Sequence, residues 1–184
     1  MKDIIIIGSG GHANSLIDLI DSSKKFKILG YFDKLKNSKF RLKYLGDDFE
    51  IKKYNIKFAA MGIGLGLLPK KKMQIIKKYM DKGINFPRLI HKSSYVSKTS
   101  IIDDGAQIFA GTVINSNTEI KPHAVINTGS IIEHDCHIGE NSFICPGSII
   151  LGTSKIGKNT IIGSKNIILP NTSIKDNSFI KAKI

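Results

Sequence analysis

A branched aliphatic residue recurs at every sixth position through the second half of this chain. The series runs Ile90, Val96, Ile102, Ile108, Ile114, Ile120, Ile126, Ile132, Ile138, Ile144, Ile150, Ile156, Ile162, Ile168, Ile174 and Ile180. An α-helix repeats every 3.6 residues and a strand every 2, so neither produces a beat of six. A chain coiled around a triangular prism does, with one hexapeptide per side and three per coil. Two further positions keep the same beat. Four residues after each apolar position sits a small residue, as at Ala106, Thr112, Ser130, Cys136 and Ser148. The position before it favours Gly or Asn, as at Gly105, Gly111, Asn117, Gly129 and Asn141. Gly and Asn adopt left-handed backbone angles at low cost, which suits tight corners. About five coils are expected from Leu89 onward, with the apolar series stacked inside.

The residues before Leu89 obey other rules, so two domains are expected, 1–88 and 89–184. The chain carries a net charge of +13, and the excess is lopsided. Residues 1–92 hold 20 Lys and Arg against 8 Asp and Glu, while the remaining residues hold 8 against 7. Nucleic-acid binding is one reading of such an excess. No basic motif interleaved with aromatics accompanies it, and only Arg41 and Arg88 are Arg. A basic domain that attracts a phosphate-bearing small substrate fits the layout better. No run of about 18 apolar residues is present, so no membrane span is expected. The start lacks the long apolar region of a signal peptide. Cys136 and Cys145 both fall on the hexad lattice and read as filler rather than as a disulfide framework. Cytoplasmic localisation and no bound metal follow as expectations.

In the first domain an apolar run from Asp3 to Ile7 reads as a buried parallel strand. It ends at Gly8-Ser9-Gly10-Gly11-His12-Ala13, and Leu16, Ile17, Leu19 and Ile20 then recur at helical spacing. A second strand, Lys27 to Phe32, ends at Asp33. A third, Lys57 to Met61, runs into the glycines of 62–66, and a helix is expected from Pro69 to about Lys82. Strand, glycine loop, helix and strand make a Rossmann-like βαβ unit. The loop fits G-x-G-x-x-[GA], and Asp33 has the spacing of a ribose-binding acid. A dinucleotide-dependent oxidoreductase is therefore a rival reading. The domain is only about half the size of a full dinucleotide fold, which suits a mononucleotide better.

This strand-GSGGHA-helix-strand-Asp arrangement, joined directly to the hexads, resembles the sialic acid O-acetyltransferase and nucleotide-aminosugar N-acetyltransferase family. That family belongs to the hexapeptide-repeat acyltransferases and includes enzymes acting on UDP-4-amino sugars. The resemblance implies a left-handed parallel β-helix, a homotrimer and acetyl-CoA held between neighbouring prisms. It also implies that the N-terminal domain holds a nucleotide sugar through Ser9, Gly10, Gly11, His12 and Asp33.

Transfer of an acyl group to an amine needs a general base, and histidine suits that role near neutral pH. A base also needs an orienting partner, usually a carboxylate. Of the five histidines, His134 alone lies among acids, in Glu133-His134-Asp135-Cys136. The family carries a matching segment, which implies His134 as base and Asp135 as its support. Asn127-Thr128-Gly129, just upstream, matches as well. His123 reads as a turn residue on the same type of corner as His134. His137, Phe143 and Gly152 are expected beside the acyl donor. Two departures from the family stand out. Phe143 occupies the place where a second histidine commonly follows the base. The chain also stops in hexad phase at Ile184, where relatives usually continue into a further segment. These departures favour a non-catalytic trimer that binds a nucleotide sugar as an alternative to the N-acetyltransferase, and O-acetylation of sialic acid is the chief rival within the same fold.

Overall fold

The structure is a computed structural model and describes residues 1–65 and 69–183. It divides into two compact units, Met1–Pro87 and Arg88–Ile184.

In the first unit, β1 (Lys2–Ile7) leads through α1 (Gly11–Ser23) to β2 (Phe26–Phe32). Two short strands follow, β3 (Tyr44–Gly46) and β4 (Ala59–Met61), and then α2 (Pro69–Met80). The four strands form one parallel sheet in the order β3-β2-β1-β4. Ile4, Ile5, Ile6 and Ile7 are all buried, as expected of a central strand covered on both faces. The strand order reverses between β1 and β4. In open parallel sheets that reversal, at the carboxyl ends of the strands, is where ligands bind. The loops after β1 and β4, the two glycine loops, both leave the sheet there. Gly66, part of the second cluster, lies outside the described residues.

The strand β3 and a short 3-10 helix at Glu50–Lys53 are not foreseen by sequence. Three residues are too few to show a period, and β3 is fixed instead by its register on β2, where Tyr31 faces Tyr44 and Phe32 faces Gly46. The strand expected over 57–61 is shorter, with Phe58 making only an isolated bridge to Asn85.

One core position is unusual. Lys72 lies on the buried stripe of α2 with Ile76 and Tyr79, and only 5% of it is exposed. Burial pushes its ammonium pKa down from 10.5 to about 8. The unfolded chain then binds more protons between pH 8 and 10.5, so stability rises with pH across that window. Below pH 8 the whole desolvation cost is present, on the order of 3 kcal/mol. Lys72→Met should therefore raise the unfolding free energy at pH 7 by up to about 3 kcal/mol. The advantage should vanish above pH 10.5. Denaturant midpoints compared at pH 7 and pH 11 check both halves of this prediction.

The second unit winds through sixteen two-residue strands, from Leu89–Ile90 to Phe179–Ile180. They stack into three parallel sheets of six, five and five strands, each strand pairing with the one eighteen residues on. This is a left-handed parallel β-helix. The isoleucines from Ile102 to Ile168 form one buried column cluster, and burying each such side chain is worth roughly 1.5–3 kcal/mol. Every corner from Gly105 to Asn177 carries one residue with positive φ. From Ala106 to Asn166 the small residue after it is buried, and where it is Ser its hydroxyl caps a carbonyl of the next coil. Ser130 Oγ reaches Cys145 O at 3.0 Å and Ser148 Oγ reaches Gly163 O at 2.9 Å. A buried hydroxyl left unbonded would be costly, which explains why Ser can replace Ala there.

One corner assignment needs correction. His123 has a φ of 60° and Asp135 a φ of 57°. His123 therefore occupies the slot of Asp135, one residue past the slot of His134. Counting from the preceding isoleucine, it is the third position against the second.

Candidate active site

His134 leaves the prism at the corner after Ile131–Ile132, just before the left-handed residue Asp135. The tight turn brings the two side chains together, with His134 Nδ1 2.8 Å from Asp135 Oδ2. Both are about half exposed. The other carboxylate oxygen, Oδ1, accepts from Asn117 Nδ2 at 3.1 Å. These two hydrogen bonds, first that of His134 and then that of Asn117, hold the Asp135 carboxyl below its usual range. Asp135 is thus ionised at neutral pH. The other flanking acid is turned away, because Glu133 Oε2 accepts from Asn115 Nδ2 at 2.9 Å.

Gly152 lies one coil beyond His134. A Cβ there would stand 2.6 Å from His134 Nε2 and 2.7 Å from Cε1. Only a residue without a side chain leaves the imidazole its place. The backbone N–H of Thr153 donates to His134 O at 2.9 Å, tying the two coils together beside the ring. The arrangement is an imidazole oriented by an ionised carboxylate at Nδ1, with Nε2 as its second nitrogen. That is a general-base geometry.

The three residues expected at the donor separate. Gly152 is with His134. His137 lies on the next face, its Nδ1 3.4 Å from Glu119 Oε2, in an open hollow of about 530 Å³ with Lys121, Lys155 and Lys158. Phe143 lies on the third face, in register with Val125 and Ile161, and is buried.

In the first unit Ser9 and Asp33 are brought into contact, with Ser9 Oγ donating to Asp33 Oδ2 at 2.6 Å. Asn37, which the sequence reading missed, ties the loop after β2 to the glycine loop by donating from Nδ2 to Ser9 O at 2.8 Å. The glycines divide into two kinds. Gly8 has a φ of +97°, and a Cβ on it would stand 2.7 Å from Ile63, so the fold itself requires it. A Cβ on Gly10 or Gly11 would meet nothing within 4 Å, and neither has a left-handed φ. His12 follows at the start of α1, with Gly64 against its Cβ.

Residues 3–78 match the family described as the PglD N-terminal domain. Residues 117–152 match the bacterial transferase hexapeptide family, six repeats. No curated protein sequence matches the chain significantly. Among solved structures it is similar to the acetyltransferase domain of PglB from Neisseria gonorrhoeae FA1090 in complex with acetyl coenzyme A. The TM-score is 0.90 at 22% identity, covering 98% of this chain and 88% of that one. It is also similar to PerB from Caulobacter crescentus in complex with CoA and GDP-perosamine, with TM-score 0.73, 22% identity and coverage of 100% and 91%. WeeI from Acinetobacter baumannii AYE aligns with TM-score 0.84 at 16% identity, covering 99% and 90%. At these identities the likeness is one of fold.

Proposed function

We infer that this chain, a PglD N-terminal domain joined to bacterial transferase hexapeptide repeats, is an acetyltransferase. Its donor is acetyl-CoA and its acceptor the free amine of a nucleotide-linked amino sugar in bacterial surface glycan synthesis. The observation that carries this reading is the His134–Asp135 pair at an open corner beside Gly152. The similar structures support it, having been solved with acetyl coenzyme A in one case and with CoA and GDP-perosamine in another.

The chemistry follows from the geometry. Asp135 holds the proton on Nδ1, which leaves the lone pair on Nε2. Nε2 takes a proton from the attacking amine as its nitrogen bonds to the thioester carbonyl carbon. The C–S bond then breaks, and the imidazolium returns the proton to the departing thiolate. Gly152 is the residue of the donor set that sits with His134. Phe143 and His137 face other directions within one prism. A homotrimer, with the donor between two prisms, is the assembly that would let one copy's Phe143 or His137 serve the His134 of its neighbour. The same reading places the enzyme in the cytoplasm.

Ser9, Gly10, Gly11, His12 and Asp33 are the proposed contacts to the nucleotide sugar. Gly10 and Gly11 support this, because neither packing nor backbone angle demands glycine there. A phosphate seated on the N–H groups that open α1 is what a side chain at these positions would obstruct. Gly10→Val should leave the fold intact and raise the KM for the nucleotide sugar by roughly tenfold to a hundredfold. That is the worth of two or three hydrogen bonds. The KM for acetyl-CoA should not change.

The reading as a whole is tested by acetyl-CoA turnover against UDP-, dTDP- and GDP-linked amino sugars, with sialic acid as the O-acetylation control. Turnover of sialic acid alone would make this an O-acetyltransferase. Binding of a nucleotide sugar with no turnover of any acceptor would make it a binding protein.

A further inference from the structure

The carboxylate that orients His134 is itself half exposed and is joined to the prism by a single short side chain. A carboxylate in that position rotates freely unless something holds its second oxygen. Asn117 does so, one coil below, with Nδ2 3.1 Å from Asp135 Oδ1. Asn117 is itself fixed. It sits at a left-handed corner with a φ of 56°, and its backbone N–H donates to Thr99 Oγ1 at 3.0 Å. A second asparagine, Asn115, takes Glu133 Oε2 at 2.9 Å. The two asparagines thus sort the acids that flank His134, drawing one aside and presenting the other.

The same kind of bond is purely structural at another corner of the prism. There Asn141 Nδ2 reaches Asn159 Oδ1 at 2.8 Å, and Asn159 Nδ2 reaches Asn177 Oδ1 at 3.4 Å. In that ladder the acceptor is another corner amide. At Asp135 the acceptor is a charged group whose other oxygen engages an imidazole. Hydrogen bonds to charged groups are about twice as strong as neutral ones.

We propose that Asn117 is a positioning residue for the base: it locks the Asp135 carboxylate so that Oδ2 fixes the proton of His134 on Nδ1. The proposal rests on the reading of His134 as general base and adds a third member to that pair, from the coil beneath.

The test uses Asn117→Gly in the full chain. Glycine keeps the left-handed corner without strain and removes only the amide. Asn159→Gly is the control, since it deletes the same kind of inter-coil amide bond in the structural ladder. Two quantities are read, steady-state kinetics and the tautomer of the His134 imidazole by nitrogen-15 NMR. Asn117→Gly should lower kcat roughly tenfold, the scale of one hydrogen bond to a charged group. Both KM values should hold, and the Nδ1–H tautomer should lose population. Asn159→Gly should change neither reading. If Asn117→Gly leaves the tautomer as in the wild type, the proposal is overturned. The NMR reading does not depend on turnover. A changed tautomer with unchanged kcat would keep Asn117 as the positioning residue and remove His134 as the base.

Discussion

His134→Ala is expected to lower acetyl transfer by roughly 10²–10⁴-fold, the usual contribution of a positioned general base. An amine nitrogen that attacks a thioester becomes positively charged, and it must lose a proton before the thiolate can leave productively. His134 is an imidazole that the structure pairs with an ionised carboxylate, at 2.8 Å. The loss should fall on kcat, with both KM values little changed, because the group acts on the reacting proton rather than on binding. The variant should fold normally. The side chain is half exposed, and its ring packs over Gly152, where its removal opens space to solvent rather than a cavity in the core. Asp135→Asn is the companion. Asn occupies the same left-handed slot at Asn117, Asn141 and Asn159, so the corner is kept while the charge is lost. Its kcat should lie between those of wild type and His134→Ala. Wild-type turnover in His134→Ala would exclude this residue as the base.

The prism was legible because its rule is one-dimensional. A period of six fixes which residue faces inward, and the column of isoleucines buried from Ile102 to Ile168 follows from it. The pairing of His134 with Asp135 was legible because the partners are adjacent in the chain. Asn117 and Gly152 stand one coil below and above this pair. Gly152 is expected at the acyl donor, and its place against His134, like that of Asn117 against Asp135, follows from counting three hexads, eighteen residues, in either direction. The corner residues keep the same beat of six as the isoleucines, Asn117 among them, but the beat alone does not say which corner side chains meet from one coil to the next. Counting two hexads back from Asp135 likewise sets His123 in the left-handed slot rather than in that of His134. Other features carry no such signal. β3 is three residues long and is set by its register on β2. The contact of Asn37 with Ser9 spans 28 residues. Sequence alone also treats the glycines of the first loop alike. The structure separates Gly8, which the backbone needs, from Gly10 and Gly11, which it does not.

The second large effect concerns assembly. One face of the prism carries Tyr95, Val113, Ile131, Ile149 and Ile167 in direct register. Their chain neighbours, from Val96 to Ile168, point into the core, so these five point outward. They form an apolar stripe roughly 20 Å tall at the spacing of neighbouring strands. Tyr95 and Ile167 are 59% and 50% exposed. The adjacent face instead presents Ile101, Glu119, His137, Lys155 and Ser173, a mostly polar set suited to water. A continuous apolar stripe on one face is what a contact with a second copy would bury. His134 leaves the chain two residues after Ile132, at the edge of that face, so the same contact would bring a neighbouring prism beside the base. Ile131→Glu places a carboxylate in the middle of the stripe. Burying an unpaired charge costs several kcal/mol, and each 1.4 kcal/mol is a factor of ten in association. The weakening should therefore be at least roughly a hundredfold per interface. Wild-type protein at micromolar concentration should sediment at three times the chain mass of 20.3 kDa, and Ile131→Glu should sediment as a monomer. Acetyl transfer should fall with the assembly, although the His134–Asp135 pair is untouched. Lys155→Glu, on the polar face, should leave the mass unchanged. A wild-type monomer would remove the trimer altogether. A trimeric Ile131→Glu would move the interface to another face.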